Sequence, residues 1–262
     1  MALANTTLGI VLGAAYTGFD QFLGVPFGEA KRFEAGLLRT TPYNQQPLKA
    51  LKFGPACLQF LNESSVYGAE HGCLVANIWR PSGAGKDSAL PVLIYVPGGE
   101  NAFGEGSPYN ASSLSVDQQT VVLSINYRVG PFGFLAFEED VAAGRPTGHF
   151  ALSDIQAALR WARREVSAFG GLAARLTLFG QSSGGGLVLM HAFLPSSRGL
   201  VEGLLSQSSG PGAVSMAVSL RNTHHIAQRL NWCSNSDPSR AGIDPSRAST
   251  PCLKTRCYPR LL

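Results

Sequence analysis

Phe169-Gly170-Gly171, four spacer residues, Leu176-Thr177-Leu178-Phe179 and then Gly180-Gln181-Ser182-Ser183-Gly184-Gly185-Gly186 form the stretch that decides how this 262-residue chain is read. The run around Leu176 and Leu178 suits a buried strand, and Leu187-Val188-Leu189-Met190-His191-Ala192-Phe193 reads as a helix. Between them lies Gly180-x-Ser182-x-Gly184, the pattern of a nucleophile elbow. A serine hydroxyl reaches an ester only if the chain turns sharply enough to lift it clear of the sheet. Such a turn strains the backbone of the serine, so the residues two before and two after must be small enough not to collide. The helix that follows aims its unpaired N–H groups at the site where negative charge develops. In a chain with 30 Gly the five-residue pattern is a weak signal alone, and the flanking strand and helix give it weight.

Other segments read as the same architecture. Pro91-Val92-Leu93-Ile94-Tyr95-Val96 is a continuous apolar run, the mark of a strand covered on both faces, and Thr120-Val121-Val122-Leu123-Ser124-Ile125-Asn126-Tyr127 reads as another buried strand. Ser153-Asp154-Ile155-Gln156 has capping-box form and opens a helix with Ile155, Ala158, Leu159, Ala162, Val166 and Phe169 on one face, stopped by Gly170-Gly171. Residues 8–27 read as an antiparallel hairpin. Alternating strand and helix predicts an α/β chain with a mostly parallel central sheet and flanking helices. Length and a 45% hydrophobic content predict one domain over residues 1–262.

With Phe-Gly-Gly ahead of the elbow, the stretch resembles the signature of the type-B carboxylesterases, which include the cholinesterases. The resemblance runs over residues 7–262 and extends to Phe22-Leu23-Gly24-Val25-Pro26-Phe27, Phe53-Gly54-Pro55-Ala56-Cys57-Leu58-Gln59 and Asn126-Tyr127-Arg128-Val129-Gly130-Pro131-Phe132-Gly133-Phe134-Leu135. It implies an α/β-hydrolase fold and hydrolysis of small-molecule carboxylic esters through an acyl-enzyme on Ser182. It also implies an oxyanion hole from the backbone N–H groups of Gly99, Glu100 and Ser183, with Glu100 standing where the family keeps glycine. At His71-Gly72-Cys73 the acidic pair of the family is replaced, leaving Glu70 as the substitute partner for Arg32. The family's disulfides correspond to Cys57 with Cys73 and to Cys233 with Cys252, and Cys257 is left over. Five free thiols are the alternative. No cysteine pair has zinc spacing, so neither a metal nor a cofactor is expected.

The family's triad runs serine, acid, histidine. After Ser182 come only His191, His224 and His225, with Glu202, Asp237 and Asp244 as acids. His191 falls on the elbow helix, the other two histidines precede both aspartates, and Glu202 matches no catalytic acid of the family. The base and its acid are therefore expected to be missing and the sheet to be truncated on its C-terminal side. Such a chain by itself is expected to fold poorly and hydrolyse esters slowly or not at all. A non-catalytic cholinesterase-like interaction protein, or an inactive fragment, is the alternative. The intact Ser182 favours the esterase.

Net charge is +4, and the basic residues are scattered apart from Arg160, Arg163 and Arg164, read as the wet side of a helix and not a nucleic-acid patch. No apolar run is long enough to span a membrane. Met1–Thr7 lacks the basic start of a leader. Sequons at Asn5, Asn62 and Asn110, with the cysteine pairs, point to a secreted glycoprotein.

Overall fold

A computed structural model describes residues 1–62, 65–210 and 213–229. The strands, in chain order, are β1 Ala2–Thr6, β2 Gly9–Ala15, β3 Phe19–Pro26, β4 Gly28–Glu29, β5 Leu37–Leu38, β6 Leu48–Lys49, β7 Gln59–Asn62 and β8 Ser65–Tyr67. Then follow β9 Val75–Pro81, β10 Leu90–Val96, β11 Val121–Ile125, β12 Gly171–Gln181 and β13 Gly203–Gln207. The helices are α1 Ser112–Asp117, α2 Gly130–Phe134, α3 Glu138–Ala142, α4 Phe150–Glu165, α5 Ser183–Phe193 and α6 Met216–Arg229. Among the described residues there are two compact units, residues 1–133 with 150–213, and residues 134–149 with those from 214 onward.

The first unit is built on a sheet of order β1-β2-β3-β9-β11-β10-β12-β13, with β6 beside β2. Strands β11, β10, β12 and β13 run parallel, and β9, β3, β2 and β1 add antiparallel pairings. The expected hairpin is β2–β3, and the expected apolar runs are β10 and β11. Every residue of β9 and β11 is buried, as a strand covered on both faces requires. Strand β1 has no counterpart in the sequence reading. Its residues are small, and only its alternation of buried Ala2 and Ala4 with exposed Leu3 and Asn5 marks it.

Register sets the position of the site. Val96 of β10 pairs with Gly180 of β12, and Gln181 pairs with Gln207 of β13. Three parallel strands thus end nearly level, so the loops after Val96, Gln181 and Gln207 emerge together. The outer strand β13 pairs only with β12 among the described residues, and Leu205 on it is 50% exposed. Leu189 and Phe193 of α5 are exposed as well. An edge strand with apolar side chains open to solvent is a surface for further pairing.

Helix α4 buries the expected face, and Gly170 at φ 91° ends the short 3-10 turn after it. Its start differs from the expectation. The helix begins at Phe150, and Ser153 and Asp154 lie in its first turn, not at its cap. Ser153 Oγ donates to the Phe150 carbonyl and accepts from the Gly36 N–H, while Asp154 accepts from Arg128 Nε at 2.8 Å, Nη2 at 2.7 Å and the backbone N–H at 3.0 Å. Tertiary partners take the groups that would otherwise cap. Burial pushes the Asp154 carboxyl up, against the pull of Arg128.

Further ion pairs fasten this unit. Asp20 and Arg80 are register partners on β3 and β9 and bond at 2.9 Å, with Arg80 over the Phe22 ring. Arg32 pairs with Glu70 through both carboxylate oxygens, so the substitute partner does engage. Cys57 and Cys73 are joined by a disulfide. Cys233, Cys252 and Cys257 lie outside the described residues. Arg163 is held by Glu202 and the Leu200 carbonyl, and Arg164 by Glu165 and the Arg39 carbonyl, so neither is a free basic group. In the second unit Thr223 Oγ1 accepts from the Ala136 N–H and Thr147 Oγ1 from the Phe137 N–H. Among the described residues no helix is long and apolar enough to cross a membrane.

Because Asp154 is fully buried against Arg128, Asp154→Asn leaves a guanidinium without its counter-charge. The expected cost is roughly 3–5 kcal/mol, read from the urea midpoint. Replacing both partners, Asp154→Leu with Arg128→Met, is expected to recover most of that loss; a double variant as unstable as the single one would contradict this account.

Candidate active site

Ser182 sits between β12 and α5 with φ 56° and ψ −131°, a conformation that costs a non-glycine residue about 1–3 kcal/mol. Its N–H donates to the Gln207 carbonyl at 2.9 Å, and its own carbonyl accepts the first helical bond from the Gly186 N–H at 3.1 Å. The turn is possible because its neighbours lack side chains. A Cβ on Gly180 would lie 2.7 Å from the Gly184 carbonyl, and one on Gly184 would lie 2.6 Å from the Pro97 oxygen. A Cβ on Gly185 would lie 2.8 Å from Ser206 Oγ. Gly98 brings the loop after β10 onto the serine itself, since its Cβ would stand 3.1 Å from that of Ser182. The predicted collisions are therefore the ones the fold avoids.

That loop, residues 97–106, is bonded at nearly every turn. Tyr127 donates its hydroxyl to the Pro97 carbonyl at 2.6 Å, and burial raises the phenol so that it stays a donor. Ala102 and Phe103 N–H groups converge on the Gly99 carbonyl. Gln59 receives the Gly104 N–H at 2.8 Å and returns a bond from Nε2 to the Gly104 carbonyl at 3.3 Å. Asn126 Oδ1 accepts from the Gly106 N–H, and Ser124 Oγ donates to the Gly106 carbonyl. Ser183 Oγ accepts the Asn101 N–H at 3.1 Å, tying the loop to the elbow helix. Glu100 and Asn101 both have positive φ, 55° and 60°, where glycine is at ease and Asn is better tolerated than most residues. The Glu100 side chain is exposed. The N–H groups of Gly99, Glu100 and Ser183 have no acceptor among the described residues.

Asn101, Ser182, Ser183, Leu187 and Met190, with Ser208 beyond β13, line a cleft of about 230 Å³. Neither a histidine nor a carboxylate is among its described lining residues, and Ser182 Oγ makes no hydrogen bond to a described residue. His191 is turned into the protein. Ser197 Oγ accepts from Gln156 Nε2 and shares a hydrogen bond of 2.8 Å with His191 Nδ1. Burial brings the imidazole down to about 4, which keeps it neutral. Glu202 accepts the Leu176 N–H and pairs with Arg163 just before β13, roughly 16 Å of strand from the serine end. A triad through Glu202 is ruled out by that placement. His149 in the second unit bonds the Thr147 carbonyl, and Asp237 and Asp244 lie outside the described residues. No metal-binding group of three ligands occurs among the described residues.

Sequence reasoning placed the serine, its glycines and the loop. It missed Tyr127, Gln59 and Asn101, and it valued Ser183 for its N–H alone. Tyr127 carried one signal: a polar tip at the end of an otherwise apolar strand.

The model of the carboxylesterase family matches residues 2–261. Bile salt-activated lipase of Mus musculus is 36% identical over 199 residues, covering 72% of this chain and 32% of the lipase. Acylcarnitine hydrolase of Mus musculus is 30% identical over 286 residues, covering 99% of this chain and 48% of that protein. Acetylcholinesterase of Bungarus fasciatus is 34% identical over 228 residues, with 80% and 37% covered. A solved PNB esterase superposes with a TM-score of 0.75 at 28% identity, covering 87% of this chain and 48% of that one. The chain spans about half, or less, of the length of these relatives.

Two outcomes follow from this packing. Gly184→Ala is expected to cost about 3 kcal/mol or more by urea unfolding, because the atoms it meets are backbone and cannot yield, while Gly85→Ala, with nothing within 4 Å, stays within about 0.5 kcal/mol. His191, neutral when folded, gives stability that is complete above its ordinary value near 6.5 and is lost as pH falls toward 4. The loss is roughly 3 kcal/mol, and His191→Gln is expected to flatten the stability profile across that window.

Proposed function

This chain belongs to the carboxylesterase family, and from that premise we propose that it carries the nucleophile and the oxyanion hole of a serine ester hydrolase. Ser182 Oγ attacks the ester carbonyl carbon. The new C–O bond pushes the π electrons onto the carbonyl oxygen, the hydroxyl proton passes to a general base, and collapse expels the alcohol. Water then releases the acid from the acyl-enzyme. The N–H groups of Gly99, Glu100 and Ser183 are the donors for the oxyanion, and the exposed Glu100 carboxylate points into solvent where its charge is screened. Leu187 and Met190 offer an apolar wall for the acyl or alcohol part.

The observation that carries this reading is the strained backbone of Ser182 at a helix amino end, with three N–H groups that have no acceptor among the described residues. Strain of that kind persists where the surrounding structure holds it for a purpose. The relatives' names span lipids, acylcarnitine, cocaine and acetylcholine, so the substrate is taken no further than a carboxylic ester. With no base or carboxylate among the described residues of the cleft, the hydroxyl keeps its ordinary reactivity. The Cys57–Cys73 disulfide fits an oxidising, extracellular compartment, where the exposed sequon residues Asn5 and Asn110 would accept glycans.

The 262-residue chain is expected to turn over p-nitrophenyl acetate no more than about 10³–10⁴-fold above the uncatalysed rate, the level left to a hole without its triad partners. Ser182→Ala should remove that excess. A fluorophosphonate that modifies the chain at Ser182 supports the reading. Absence of modification under conditions that label a complete relative favours the non-catalytic interaction protein instead.

A further inference from the structure

Asn101 stands out among the groups in the cleft because its carboxamide does no structural work. Its backbone is fixed at both ends: the N–H donates to Ser183 Oγ at 3.1 Å, and the carbonyl accepts from the Gly130 N–H at 2.5 Å. Its φ of 60° is left-handed. The side chain, by contrast, makes no hydrogen bond to a described residue. Among the described residues Oδ1 is buried without a partner, while Nδ2, also without one, keeps contact with solvent at the residue that lines the cleft with Ser182. Burying Oδ1 unpaired costs stability, and that orientation leaves Nδ2 as the end of the carboxamide that meets solvent.

We propose that Asn101 Nδ2 is a side-chain donor to the oxyanion that forms when Ser182 attacks, a fourth donor beside the N–H groups of Gly99, Glu100 and Ser183. The proposal rests on the reading of Ser182 as nucleophile. Two features of the site support it. The backbone anchors hold the carboxamide on a loop tied to the elbow through Ser183, so donor and nucleophile keep a common frame. A neutral amide donor adds stabilisation for negative charge without bringing a proton to lose or a counter-ion to desolvate. Asn side chains in such a role contribute about 10²–10³ in rate.

The test uses the 262-residue chain and a neutral p-nitrophenyl phosphonate diester in imidazole buffer. Imidazole takes the Oγ proton, the O–P bond forms, p-nitrophenolate leaves, and intact mass gains one phosphonyl group at residue 182. Asn101→Asp keeps the shape but removes the donor, and Asn101→Gly removes the side chain at a φ that suits glycine. Both are expected to lower the maximal labelling rate by about 10²-fold with the half-saturating reagent concentration and the urea midpoint little changed. Labelling of either variant at the parental rate overturns the inference and leaves the nucleophile intact. An Asn101→Asp rate above the parent would assign the carboxamide an acceptor's part and equally overturn it. A parent that does not label, or a Ser182→Ala variant that labels as fast, removes the nucleophile and the inference together.

Discussion

The left-handed, strained backbone at Ser182 constrains everything around it. A residue with φ 56° and ψ −131° between a strand and a helix survives only if several other groups give way. Gly180 and Gly184 touch backbone to backbone, and Gly98 is pressed against the serine's own Cβ. The Gln207 carbonyl at the end of β13 holds the Ser182 N–H. Each of these contacts exists because β10, β12 and β13 are parallel and in register, so that their ends stop together. The strain at one residue is thus maintained by the sheet as a whole, and the cost of about 1–3 kcal/mol is spread over many contacts.

The facing loop solves a different problem. A glycine-bearing segment with three consecutive residues at positive φ, Gly99, Glu100 and Asn101, would fluctuate if left alone. Here it is gripped from the sheet side by Tyr127, from β7 by Gln59 and from the end of β11 by Ser124 and Asn126. Gln59 also donates to the Cys57 carbonyl, so the disulfide-closed loop and the loop beside the serine share one side chain. Donors that must not move when charge develops are worth more than mobile ones, because no reorganisation is spent at the moment of reaction. The many bonds along residues 97–106 are best understood in that light.

Where local chemistry determines structure, the sequence could be read. The elbow, the apolar strands β10 and β11, the buried face of α4 and the stop at Gly170 each follow from steric or periodic rules acting within a few residues. The failures lie where a polar side chain had two options. Ser153 and Asp154 look like a cap in isolation, yet Gly36 and Arg128, distant in the chain, claim them. Asn101 looks like an ordinary loop residue, and its importance depends on Ser183 lying eighty-two positions away. Strand β1 fails for the opposite reason: alanines that fit a tight sheet edge carry little hydrophobic signal. Long-range hydrogen bonding has no periodic trace in a sequence.

The distribution of parts also has a physical logic. A nucleophile and its oxyanion donors must be held to within a few tenths of an ångström, and the groups proposed for those parts all come from adjacent strand ends in one unit. A base needs reach and a suitable pKa more than it needs a shared strand. His191 shows that proximity in sequence is no substitute: nine residues from the serine, it is buried, neutral and committed to Ser197. Glu202, although beside the next strand, precedes it at the end away from the serine and is committed to Arg163 and Leu176. Both groups are engaged in holding α5 and β13 in place, and their removal from the chemistry follows from the same bonds. What the described residues provide is therefore a rigid, polarised frame around the Ser182 hydroxyl, in which the carboxamide of Asn101 is the side-chain amide that no described residue engages.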